Sequence, residues 1–141
     1  MSQLAFLETT LSKEVKRKAE KLMSRYKVFE AIIESLKLDL EPKMTVNYQA
    51  SESQRNNQFH SETEKIAITE TEIEEYVRTK RKLSLIYNSL RSEQQKIWDE
   101  RYIMGRYDIE VYNELGITDR TYYRLKREMI AIVAEAFGLQ Q

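Results

Sequence analysis

Residues 108–128 read DIEVYNELGITDRTYYRLKRE, and the folding of this stretch decides the architecture around it. Val111 and Leu115 lie four apart, and Tyr122, Leu125 and Met129 recur at steps of three and four, which is the apolar spacing of two helices. Between them Gly116 supplies the positive φ that a tight turn requires. Thr118 stands where a helix N-cap belongs. A short helix, a turn and a second helix make a helix-turn-helix, with Val111, Leu115, Ile117, Tyr122 and Leu125 locking the crossing.

Register assigns the outer face. If Tyr122, Leu125 and Met129 turn inward, Asp119, Arg120, Tyr123, Arg124 and Arg127 turn outward. The stretch from Arg120 to Arg127 holds four basic residues and no acid. A recognition helix presents its N-terminal residues to base edges in the major groove. Arg120 and Arg124 suit bidentate contacts to guanine O6 and N7. Asp119 suits a cytosine amino group, or simply the helix dipole. Thr121, Tyr123, Lys126 and Arg127 are expected on phosphates, which orient without specifying. The amides at the helix start near Thr118 are a further phosphate site. The competing reading is an ordinary αα-corner with no nucleic-acid role, which has no need to segregate its charge. Tyr112 departs from the pattern, because a small residue is usual where the two helices approach.

Composition agrees with a mainly helical chain. Of 141 residues, 41% are hydrophobic and 33% charged, with three Gly and one Pro. Few breakers among many Glu, Lys, Arg and Leu favour helix, so the expected class is all-α. The chain has no Cys, which excludes disulfides and thiolate metal sites. His60, the single histidine, lies in a polar stretch, so no metal site, cofactor or catalytic constellation is expected. No apolar run reaches membrane-spanning length and no signal peptide is read, so a cytoplasmic protein without membrane contact is expected. Basic and acidic residues balance at 23 each, so any attraction to nucleic acid must come from a local patch.

Upstream, Val15, Ala19, Leu22, Tyr26, Phe29, Ile33, Leu36 and Leu40 form a heptad seam, predicting one long amphipathic helix within residues 1–40. Residues 41–60, opened by Pro42, read as a polar linker. Ser61 and Glu64 form a capping box for a helix to Leu90 with Ile73, Tyr76, Leu83, Tyr87 and Leu90 inward. The exposed face of that helix, with Glu74, Glu75, Arg78 and Lys82, is expected to be solvated. Ser92 and Gln95 open the next helix, with Trp98 and Tyr102 as core and Gly105 at its end. Asp99, Glu100 and Arg101 read as a solvated face. Asp108 is expected to cap the helix that follows. Residues 61–141 are then a helical DNA-binding domain with its helix-turn-helix at 108–128.

The stretch Ser92–Leu139 resembles region 4 of bacterial sigma factors. More narrowly, NELGITDRTYYRLKREMIAIVAEAFGL, and DRTYYRLKRE above all, is similar to the autolysin-regulator (ArpU) family of phage-encoded transcriptional regulators. The resemblance implies a phage or prophage regulator of late genes in the bacterial host cytoplasm. It also places Asp119, Arg120 and Arg124 at base-facing positions and Tyr123 near the backbone. For the 15–40 seam three roles stay open: a homodimer contact, packing against the 73–90 helix of the same chain, or contact with RNA polymerase. Two other function classes stand beside a regulator of double-stranded DNA: a small-terminase-like DNA-packaging subunit, and a helical protein-interaction module.

Overall fold

A computed structural model describes residues 11–41 and 52–139, with side chains from 62 onward in the second stretch. These residues are all-α: helices α1 (Lys13–Ser24), α2 (Tyr26–Leu40), α3 (Glu52–Ser89), α4 (Ser92–Ile97), α5 (Asp108–Leu115) and α6 (Asp119–Ala136), with a π-helical segment Trp98–Ile103 after α4. Among the described residues no helix is long and apolar enough to cross a membrane.

The chain forms two compact units, one comprising Met1–Lys27 with Lys80–Gln141 and the other Val28–Thr79. They do not follow the boundaries expected at residues 40 and 60. In the first, Val15, Ala19 and Met23 of α1 are buried, and α1 packs against α6 and the π-helical segment. Around them lie Leu83, Ile97, Trp98, Val111, Tyr122, Leu125, Met129 and Val133, all at or near zero exposure. Trp98 stands against Tyr26 and Tyr87 with ring centroids 5.5 and 5.4 Å away. Burial of rings this size dominates the energetics of a small core. In the second unit Phe29 and Ile33 are buried, and Phe29 lies 5.8 Å from the Tyr76 ring.

The expected single N-terminal helix is broken at Arg25, which sits at φ −94, ψ 4. Two side chains compete with the helical ladder there. Trp98 Nε1 donates to the Met23 carbonyl at 3.0 Å, an acceptor that an uninterrupted helix offers to the Lys27 amide. Ser24 Oγ donates back to the Glu20 carbonyl at 3.0 Å, a bond that bends helices. Of the first half of the expected seam, Val15 and Ala19 are buried within this unit, while Leu22 and Tyr26 are half-buried.

Helix α3 begins at Glu52, not Ser61, so Ser61 lies inside the helix rather than at its start. The Glu, Gln and Arg of 52–60 carry enough helix propensity to extend it, and polarity alone does not break a helix. The remaining expected linker, 42–51 with Pro42, and the side chains of His60 and Ser61 lie outside the described residues. Lys82, expected to be simply solvated, donates to the Ala136 carbonyl at 3.1 Å and so serves the C-terminus of α6.

Two caps sit one residue earlier than expected. Gln94 Oε1 accepts from the Arg91 amide at 3.2 Å to open α4. Glu110 Oε1 accepts from the Tyr107 amide at 3.0 Å to open α5. The buried Gln94 also donates to the Leu125 carbonyl at 3.2 Å, tying α4 to α6.

Candidate nucleic-acid interface

Helices α5 and α6 are joined by the turn 116–118, in which Gly116 adopts φ 71, ψ 27. A left-handed residue is what lets the chain leave α5 and re-enter a helix at once. The Ile117 amide donates to Tyr112 O at 3.2 Å, closing the end of α5. Thr118 caps α6, its Oγ1 accepting from the Thr121 amide at 3.1 Å. Val111, Tyr122, Leu125 and Met129 are buried between the helices and the core, while Leu115 and Ile117 are half-buried.

Tyr112 is half-buried, its ring 5.5 Å from Tyr122 and 6.4 Å from Tyr123. Where a small residue usually permits close approach, this chain fills the space with three aromatic rings.

Residues Asp119, Arg120, Tyr123, Arg124 and Arg127 are exposed, and Thr121 is half-buried. Arg120, Arg124 and Arg127, at spacing i, i+4, i+7, line one outer stripe. Arg124 approaches Glu128 at 3.5 Å with half its side chain open to solvent, a surface pair weak enough to exchange for another anion. Asp119 Oδ1 accepts from the Arg120 amide at 2.7 Å. That amide and the Thr121 amide are therefore satisfied within the chain and not open to a phosphate.

Lys126 departs from the expected phosphate contacts. It is 7% exposed, with its ammonium 3.0 Å from Asp108 Oδ1 and 3.7 Å from Glu20 Oε2. Its position, four residues after Tyr122, places it on the buried stripe, where two carboxylates receive it. The rings of Tyr102 and Tyr123 each lie 5.8 Å from the ammonium, adding cation–π attraction.

Asp108 is the hub of this network. Its Oδ1 also accepts from Arg101 Nε at 3.0 Å and from the Tyr122 hydroxyl. Burial opposes ionisation of Asp108, but the Tyr122 hydroxyl and the Lys126 and Arg101 cations outweigh it and hold the carboxyl below its usual range. Burial, reinforced by Asp108, pushes the Tyr122 phenol up, so it stays a neutral donor. Tyr102 is likewise raised by burial and by Glu20, to which its hydroxyl donates at 2.6 Å. One connected set of polar groups thus joins α1, the π-helical segment, α5 and α6 beneath the arginine stripe.

The residues expected to form a solvated face are also engaged. Asp99 accepts from the Tyr87 hydroxyl at 2.9 Å, and burial followed by that carboxylate pushes the Tyr87 phenol up to about 12. Arg106 pairs with Glu100 at 2.7 Å and with Glu114. The roles of Glu20 and Asp108 have no local signal, because Tyr102 and Lys126 meet Glu20, and Tyr122 and Lys126 meet Asp108, from other elements of the fold. Among the described residues no cluster of His, Cys, Asp and Glu is arranged to hold a metal ion.

Comparison with protein-family models, curated proteins and solved structures finds no match to this chain.

Proposed function

We propose that the chain is a sequence-specific binder of double-stranded DNA that regulates transcription. The observation that carries this reading is the division of α6. Tyr122, Leu125 and Met129 are buried on one side, and Arg120, Arg124 and Arg127 are exposed on the other. A neutral chain that concentrates arginine on the outer face of the second helix has the electrostatic footprint of a recognition helix. In this reading the start of α6 enters the major groove. Arg120 and Arg124 address guanine edges, Asp119 meets a cytosine amino group, and Thr121, Tyr123 and Arg127 stand beside the backbone, with Thr118 holding the helix start.

The similarity of residues 113–139 to the autolysin-regulator family extends the proposal to a phage or prophage regulator of late genes, acting in the host cytoplasm. Tyr123 supports the backbone assignment from another direction. Its ring stands edge-on to Tyr122 at 5.1 Å and so is braced for a contact at the rim of the groove.

The test is selection of bound duplexes from a random pool by the purified full-length chain. Enrichment of a G-containing motif is the expected result, and its symmetry reports the stoichiometry. Recovery of the input pool unchanged, with no duplex retained at low salt, refutes the reading.

A further inference from the structure

We infer that the first turn of α1 joins Arg127 in a clamp for a phosphate of the DNA backbone, flanking the base-reading end of α6. The inference rests on the DNA-binding reading above and adds a second contact surface to it. Lys13 and Lys16 are far from Arg127 in sequence, yet the packing of α1 on α6 sets all three around one cleft of about 240 Å³. Ile130, 1% exposed, also lines the cleft and offers an apolar surface for the lysine stems, whose ammonium groups reach toward water.

Three features point to a phosphate rather than an apolar ligand. Three basic residues line the cleft and none of its lining residues is acidic, while the acids of α1 are engaged elsewhere: Glu14 with Lys18 at 3.6 Å and Glu20 with Lys126 at 3.7 Å. Ser12, the cap of α1, is also in the cleft lining, so the positive end of that helix dipole lies beside the cations. Arg127, finally, continues the stripe of Arg120 and Arg124, roughly 10 Å along the helix from Arg120 at 1.5 Å per residue. A recognition helix that enters the groove by its N-terminal end meets the backbone further along, as the C-terminal part of such helices does in homeodomains.

The test is the salt dependence of binding to a labelled random-sequence DNA duplex, for the full-length wild type and for Lys13→Gln/Lys16→Gln. Each phosphate contact contributes about 0.9 to the slope of log K against log salt. Because the three side chains share one phosphate, the double variant is expected to lose up to about 0.9 of slope, with its selected base motif and circular dichroism unchanged. Lys21→Gln, turned about 140° around α1 from Lys16 at 100° per residue, removes a cation from another flank and is expected to keep the wild-type slope. A wild type that binds duplex while the double variant retains its slope overturns the clamp alone. So does an equal loss in Lys21→Gln, which reports only general charge. A wild type that binds no duplex overturns both the clamp and the reading beneath it.

Discussion

Replacing Arg120 or Arg124 by Ala removes a guanidinium that matches the two acceptors on a guanine edge. Each substitution is expected to cost about 1–3 kcal/mol of specific binding and to relax base preference at one position, read from competition binding on selected and scrambled duplexes. Equal losses on both duplexes would mean a phosphate contact instead. Lys126 belongs to a different class despite lying between them in sequence. Lys126→Met leaves Glu20 and Asp108 with less positive charge in a largely buried site. The expected loss is about 2–4 kcal/mol in urea unfolding, toward the lower end for broken buried pairs because Asp108 keeps Arg101 and Tyr122. Unchanged stability with weakened DNA binding would restore Lys126 to the interface. Asp108 adds a pH signature. Its folded value is depressed, so its contribution is complete above the unfolded carboxylate value, about 4, and disappears as pH falls through the folded value. Asp108→Asn is accordingly expected to lower stability at neutral pH and to flatten the acid limb of the stability profile. An acid limb as steep as the wild type's would exclude this role.

Among the elements, the turn between α5 and α6 is the one whose sequence and structure agree most closely. Gly116 was expected to take a positive φ and does, at 71°. Nothing lies within 4 Å of where its Cβ would be, so Gly116→Ala meets backbone strain and no steric clash. The expected cost is roughly 1–2 kcal/mol, with the helix content of the folded chain preserved. A stabilised variant in thermal or chemical unfolding would contradict the assigned turn. Thr118 as cap was legible for the same reason: capping depends on residues within one turn of each other. The break at Arg25, the π-helical segment and the early start of α3 were not legible. The first depends on Trp98, which is remote in sequence. The π segment carries Trp98 and Tyr102 into the core from a run that reads as ordinary helix. The start of α3 involves no Gly or Pro, the only strong punctuation a helix has.

At the scale of the whole chain, the heptad seam left three roles open, and Val15 and Ala19 of its first half are buried inside one unit. Met23→Ala is expected to lower unfolding free energy by about 2–5 kcal/mol through loss of core packing, with a midpoint independent of protein concentration. A concentration-dependent midpoint would identify this face of α1 with a subunit contact instead. The packing that covers the seam also assembles the surface. Lys13 and Lys16 share a cleft with Arg127, and Glu20 reaches Lys126, only because α1 lies on α6.

The all-α class, the two helices on either side of Gly116, that glycine's turn and the exposure of Arg120, Arg124 and Arg127 follow from local propensity and 3.6-residue periodicity, which a sequence carries in full. The burial of Lys126, the Asp108 network and the meeting of α1 with α6 followed from the tertiary structure alone. Each joins groups whose separation along the chain leaves no periodic trace, and a lysine turns inward only where folding has already placed carboxylates to receive it.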